Sequence, residues 1–469
     1  MKSKFLKIIN FVADLLMSEM LKKKCIISLC FIAFAVFRTS AQELWTLEQC
    51  IAYAYDNNIQ LKQMQLSVQQ AENNLLQSRL SLAPSVNASG SFNSAKGKVL
   101  DENTFTIVDG KTVNSLSANI NGNVSLFRGL TQKNTIDRNI YYLLTEASNV
   151  EKLKNDLSIT IALYYLQIIH AQEQLSVAEN QLQLTELQVE RTSALVDAGS
   201  VPEGDLFEMQ AQAAREELQV VTARNTKDIS RLNLMQLLDL ETKTDFDVEV
   251  PNFSNIIVSD LDTSVDELFS TAETILPQIK AAEYNLKSSE KQLSIAQGYR
   301  SPTLTLSGGY STRYSSSAAS PVGNTDYPLW DQLKDGINSY VGLGLNIPIF
   351  NGWQVQTGVK NAKLGKLNSQ YQLELAKTTL YKEIQQAHAD ALAALQQYLA
   401  ASKAVTSMEE AFRYTEQRYE VGLMNFVDYT TIKTRLSNAQ SDMLQAKFEY
   451  IFKYNVLNFY KGQPIRINN

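Results

Sequence analysis

The chain has 469 residues, with 43 Lys and Arg against 49 Asp and Glu, a formal charge of −6 at pH 7. An acidic chain of this kind is excluded as a nucleic-acid binder, because phosphate recognition needs a basic surface.

Residues 1–41 read as an export signal. Lys22-Lys23-Lys24 precede an uncharged run from Cys25 to Phe37, and Arg38-Thr39-Ser40-Ala41 supplies a small-residue cleavage site before Gln42. The run is too short to span a bilayer. Met20 serves as the working start, because it puts the lysines at the front. Cleavage leaves 36 basic and 47 acidic residues, a balance of −11, and only one cysteine, Cys50, so an intramolecular disulfide is ruled out.

After the signal, two kinds of segment alternate. Residues 47–82 form short helices that open a first repeat (42–240). Two strands follow, at 85–93 and 116–127. Leu116, Ala118, Ile120, Gly122, Val124 and Leu126 alternate there with Ser and Asn, which gives one apolar and one polar face. Residues 94–115 between them are expected to be a polar loop. Residues 131–240 then form a long helix hairpin. Leu175, Leu182, Val189 and Val196 recur every seven residues, with Ala178, Thr185, Thr192 and Gly199 as a second row, the pattern of helices packed as coiled coils. No proline or glycine interrupts 131–196, so about 65 residues at about 1.5 Å each give a rod of roughly 100 Å. Residues 241–263 link the repeats as a small mixed patch beside the rods.

The second repeat (264–462) retells the first: short helices from 265, strands at 303–310 and 340–350 around a loop at 311–339, and a helix hairpin over 352–462. A tail follows at 463–469. Gly199 and Gly422 are 223 residues apart, as are Phe127 and Phe350, and each glycine is followed by an Asp six residues on, Asp205 and Asp428. The fold class is therefore mainly α with a membrane β part, built from two halves, each a strand hairpin plus a long helix hairpin. Runs of 9–11 alternating residues suit a transmembrane strand. Four strands cannot close a barrel, and an open edge in lipid leaves backbone groups unsatisfied, so copies must pool strands. Two copies give eight strands and three give twelve; a hollow tube of helices favours three. A periplasmic coiled-coil scaffold carrying a soluble sheet is the rival from another class.

No catalytic constellation is present. His170 and His388 stand alone in helical patterns, and neither a metal-ligand spacing nor a nucleophile motif nor a phosphate loop occurs. No enzyme activity, cofactor or metal is expected. The glycines read as helix-ending turns. Asp205 and Asp428 suit helix N-termini, where an acidic side chain is favoured by roughly 0.3–1 kcal/mol. Phe127, Phe350 and Trp353, at the strand-to-helix junctions, suit a membrane-interface belt or a packed junction equally.

The duplicated architecture, the Phe-x-Gly pairs at Phe127-Arg128-Gly129 and Phe350-Asn351-Gly352, and the Tyr419-x-x-Gly422-x-x-x-x-x-Asp428 stretch together resemble the TolC-like outer-membrane efflux proteins, over Gln42 to about Gly462. The opening Leu47-Glu-Gln-Cys-Ile-Ala-Tyr-Ala-Tyr-Asp-Asn-Asn58 is similar too, with Asn58-Ile59 where the family has Asn-Pro. The resemblance implies a homotrimer: a twelve-stranded barrel in the outer membrane, continued by a periplasmic α-helical barrel. It implies a channel of a tripartite efflux pump, partnered by outer-membrane lipid, a periplasmic adaptor and an inner-membrane transporter of RND or ABC type. The alternative is the exit duct of a type I protein or peptide secretion system. By the same resemblance Asp205, Asp428 and Tyr419 form the periplasmic aperture, with Tyr419 hydrogen-bonding Asp205. Val421, Gly422 and Leu423, with Ala198, Gly199 and Ser200, form the tip that meets the adaptor. Met424 and Thr431 depart from the family's Arg and second Asp, so a weaker polar latch is implied.

Overall fold

The computed structural model describes residues 44–101, 105–240, 246–251, 263–318, 320 and 327–466. The export signal at 1–41 lies outside them, as does most of the 241–263 link. In chain order the elements are β1 (Leu44–Trp45), α1 (Leu47–Asn57), α2 (Ile59–Leu80), β2 (Ser85–Asp101), β3 (Thr106–Arg128), α3 (Thr131–Asp197) and α4 (Glu203–Leu237). They continue with β4 (Asp247–Val248), α5 (Val265–Ile275), α6 (Pro277–Gly298), β5 (Thr303–Ser315), α7 (Leu329–Asp335), β6 (Asn338–Asn346), α8 (Gln354–Glu420) and α9 (Phe426–Tyr460).

The long helices α3 and α8 each contain 67 residues, and their return helices α4 and α9 each contain 35. Each long helix starts from a pair of left-handed residues, Gly129-Leu130 and Gly352-Trp353. The Phe-x-Gly motif exists because the chain must reverse from strand to helix there, and glycine takes φ near +60° at no steric cost. At Gly129 the space is also closed. A Cβ would lie 2.3 Å from the Gly298 carbonyl oxygen, and one on Gly298 would lie 2.5 Å from that of Gly129. The β3–α3 corner thus presses on the end of α6. Gly298→Ala is expected to cost about 1–3 kcal/mol by overpacking, read as a lower midpoint of thermal unfolding in detergent.

The four long strands form one antiparallel sheet in the order β2-β3-β5-β6, so β2 and β6 are its free edges. The register puts Val86, Ala88, Gly90 and Phe92 on the same face as Leu116, Ala118 and Ile120, and as Leu304, Leu306, Tyr310, Leu343 and Leu345. The opposite face carries Ser and Asn along the paired lower parts of β2 and β3, and a mix of Ser, Thr, Asn and Gly with Arg313 and Tyr340 on β5 and β6. A bulge at Leu126 re-aims the chain: Ser125 pairs with Thr305 but Phe127 with Leu304, so Phe127 joins the apolar face. Strict alternation would have sent it to the polar one.

Three expectations about the strands and loops need correction. Residues 94–101 and 106–115 are strand, not loop, because polar Ser, Asn, Lys and Thr pair as readily as the apolar residues below them. In 311–339, β5 runs on to Ser315 and α7 follows. Gln332 of α7 takes the place of a strand partner: its side-chain carbonyl accepts from Ser315 N at 2.9 Å and its amide donates to Ser315 O at 3.0 Å. The last strand ends at Asn346 rather than 350, where Pro348 can donate no ladder hydrogen bond.

The core lies where the short helices meet the middle of the rods. Leu47, Cys50 and Leu61 pack on Ile161, Tyr165, Ile168, Leu234 and Phe246. The described part of the link joins here: β4 pairs in parallel with β1, and Tyr165 Oη reaches the carbonyls of Glu249 (2.6 Å) and Trp45 (3.2 Å). Burial pushes the Cys50 thiol up to about 12, leaving it a small core hydrophobe. Among the described residues, no helix is long and apolar enough to cross a membrane.

Candidate functional site at the paired helix tips

Both long helices end in the same turn. Gly199 N donates to Val196 O and Ser200 N to Leu195 O; Gly422 N donates to Tyr419 O and Leu423 N to Arg418 O. With φ of 70° at Gly199 and 75° at Gly422, each is a Schellman cap. The helix then restarts after a short link. Asn425 caps α9 by accepting from Asp428 N (2.8 Å) and donating to Asp428 Oδ2 (3.0 Å). Asp428 is thus both a capping partner and an exposed carboxylate. Asp205 holds the matching position in α4, half-buried.

The two tips stand side by side. Arg191 near the end of α3 reaches Glu420 at the end of α8 (3.3 Å). Tyr419 stacks on the buried Tyr429 with ring centroids 4.5 Å apart, and Phe412 leans on the same ring at 5.7 Å. Burial raises the Tyr419 phenol above its usual range and the Asp205 carboxylate adds to this, while the Thr192 hydroxyl and Arg191 oppose it. Tyr419 and Asp205 are therefore brought close enough for the carboxylate charge to act on the phenol. Thr192 of α3 and Asp205 of α4 are both close enough to act on the Tyr419 hydroxyl. Val421 is 68 % exposed and Leu423 70 %. Ala198, Gly199 and Ser200 are exposed as well. At the other end of the rods, Phe127, Phe350 and Trp353 are all exposed at the strand–helix corners.

One cluster was not foreseen from sequence. Lys433 (α9) and Glu216 (α4) are each only 3 % exposed, with Nζ 3.4 Å from Oε1. Thr185 of α3 accepts from Lys433 and donates to Glu216, Gln181 O accepts from Lys433 at 3.2 Å, and Gln212 donates to Glu216 at 2.8 Å. Burial pulls the Lys433 amine below its ordinary value, against the Glu216 carboxylate that raises it. This clasp ties the second repeat to the hairpin of the first, just above Tyr429. A signal was available. Lys433 follows the buried Tyr429 by four residues, Glu216 follows the buried Met209 by seven, and Thr185 stands in the second heptad row, with the buried Thr192 one heptad on. A charge at a seam position has to find a partner on a facing helix.

His170 packs edge-on against Phe448, and burial lowers its pKa. Among the described residues no group of three His, Cys, Asp or Glu could hold a metal ion.

The family model "Outer membrane efflux protein" matches residues 51–239 and 268–462, one stretch in each repeat. The outer membrane protein TolC of Escherichia coli K12 is 28 % identical over 305 residues, covering 64 % of this chain and 60 % of TolC. The alignment thus spans about three fifths of that relative's length. Two solved outer-membrane proteins share the fold. The CmeC outer membrane channel of Campylobacter jejuni has a TM-score of 0.74 at 19 % identity, covering 89 % of this chain and 85 % of its own. The outer membrane protein VceC of Vibrio cholerae has a TM-score of 0.74 at 16 % identity, covering 90 % and 97 %. With the family model matching both halves of the duplication, this chain belongs to the outer membrane efflux protein family, as a TolC-like member located in the outer membrane.

Proposed function

We propose that three copies of this chain close a twelve-stranded barrel through their free β2 and β6 edges, and that their helix hairpins continue it as a periplasmic tube. The observation that carries this reading is the single four-stranded sheet with two unpaired edges and one apolar face, standing on helices of 67 residues. In lipid those edges need partners, and copies of the same chain supply them. The assembly is a passive duct rather than an enzyme. A periplasmic adaptor meets the tips at Val421, Gly422 and Leu423 and at Ala198, Gly199 and Ser200. An inner-membrane transporter of RND or ABC type delivers the cargo, which is small molecules. Deleting the chain is expected to sensitise cells to toxic small molecules, with resistance restored by a plasmid copy. Unchanged sensitivity together with loss of a secreted protein from the medium would overturn efflux in favour of a secretion duct.

At the tip, three-fold repetition makes rings of Asp205 and Asp428 that favour cations in a narrow pore. Tyr419, wedged between Tyr429 and α3, holds the two hairpins close. The double variant Tyr419→Phe with Asp205→Ala is expected to raise single-channel conductance several-fold. Conductance equal to the parent's would show that these residues do not narrow the aperture.

A further inference from the structure

The apolar face of the sheet is not smooth. A groove of about 600 Å3 opens on it, with Ala88, Gly90 and Ala118 as its floor and Ile120, Tyr310 and Ile337 as its walls. The floor is low because three neighbouring positions on β2 and β3 carry at most a methyl group, with Ala88 paired to Ile120 and Gly90 to Ala118. The far wall is fixed, because α7 is locked to the edge of β5 by Gln332 and by the Thr312 hydroxyl, which donates to Leu333 O at 2.6 Å. Trp330 of that helix is 77 % exposed.

The position of the groove narrows its occupant. It runs across the face of the sheet, from β2 at one free edge over β3 and β5 to Ile337 at the start of β6, with Thr312 as a polar member beside Ala118. Edge-to-edge joining of copies adds strands in the plane of the sheet, so it leaves this face uncovered. Along β3, Phe127 marks one end of the apolar face, and Leu116, paired with both Phe92 and Tyr314, marks the other. At about 3.4 Å per residue and a tilt of about 40° the two levels are roughly 25–30 Å apart, the height of the apolar band of an outer-membrane barrel. Ala118 and Ile120 fall just inside the outer aromatic level, so the groove lies at the depth of outer-leaflet acyl chains. Charge supplies a second, independent indication. Lys96 pairs with Thr112 and stays in register with Phe92 on the lipid-facing side, beyond the aromatic level. It is exposed and lies six residues above Gly90 on the same strand. An ammonium at that height is placed for an anionic headgroup while the groove below takes a chain.

We propose that this groove binds an acyl chain of an anionic, phosphate-bearing lipid of the outer leaflet, with Lys96 engaging its headgroup. The proposal rests on the outer-membrane barrel reading above. The test is the amount of acylated phospholipid or glycolipid, measured by extraction and mass spectrometry per mole of chain, that stays with the full-length protein purified from outer membranes in mild detergent. The parent protein is expected to retain at least one such lipid per chain. Ala118→Leu, which fills the floor, is expected to retain about tenfold less. Lys96→Gln, which leaves the groove intact, is expected to shift the retained lipid from phosphate-bearing to neutral classes, and Leu343→Met, elsewhere on the same face, is expected to change nothing. Lipid content equal in the parent and in Ala118→Leu, with heat-modifiable migration unchanged, would overturn the groove alone. An Ile337→Cys disulfide between two copies would show a neighbouring chain in its place and also overturn it. Extraction of the parent without detergent would instead overturn the barrel reading.

Discussion

Lys433→Met is expected to destabilise the helical hairpins by about 3–5 kcal/mol, because it strands the Glu216 carboxylate in a buried site. The cost arises from Glu216 more than from the lost pair. In the parent, the desolvation of both ions is offset by their mutual attraction and by Thr185, Gln181 and Gln212. The triple variant Lys433→Met, Glu216→Leu, Thr185→Val removes both charges and the hydroxyl at similar volume, leaving the half-buried Gln212 amide to solvent, and is expected to regain most of the loss. Thermal unfolding of the detergent-solubilised protein, followed by helical circular dichroism, measures both. A single variant as stable as the parent, or a triple variant no better than the single, would show that the clasp is not a closed buried network. Because Lys433 belongs to the second repeat and its partners to the first, the single variant should also loosen the tip and expose the turns near Gly199 and Gly422 to protease.

Leu423→Asp is expected to abolish export, while Ser200→Asp leaves most of it intact. Both residues sit just after their glycine, and both turns are held by backbone hydrogen bonds that neither substitution touches. The difference lies in what each tip offers a partner. Val421 and Leu423 present exposed apolar side chains that a docking surface would cover, whereas Ala198 and Ser200 present a methyl group and a hydroxyl. A carboxylate buried against an apolar pocket is left unpaired, while one at a polar contact stays hydrated. The loss at Leu423 is therefore expected to exceed tenfold in the drug concentration tolerated by complemented cells, roughly the effect of burying one unpaired charge. Equal effects at the two positions would remove the asymmetry between the tips.

The sequence was most legible where a residue type has only one physical use. The glycines at 129, 199, 352 and 422 all take positive φ, and the spacing of Gly199 and Gly422, shared by Phe127 and Phe350 and by the two following aspartates, revealed the duplication. Apolar alternation located the stretch of each strand next to the helices because one face of the sheet is mainly apolar there. It stopped being informative at Asn93 and Ser115, where both faces are polar, so the paired stretch beyond them read as loop. The bulge at Leu126 was invisible for a related reason: a one-residue insertion changes which face a side chain meets without changing composition. The Lys433 clasp needed a contact between residues 217 positions apart, which helical periodicity within one segment cannot supply. The helix at Leu329–Asp335 was missed because seven residues give too short a window for any periodic signal.

The central claim is a trimeric pore made from incomplete sheets. The most direct measurement is planar-bilayer recording of the protein purified from outer membranes, alongside its migration in unheated and heated SDS gels. The account predicts a heat-modifiable trimer that inserts from one side and carries a cation-preferring current, the preference falling when Asp205 and Asp428 are both changed to Asn. A protein that leaves the membrane fraction without detergent, migrates as a monomer before heating and carries no current would contradict it.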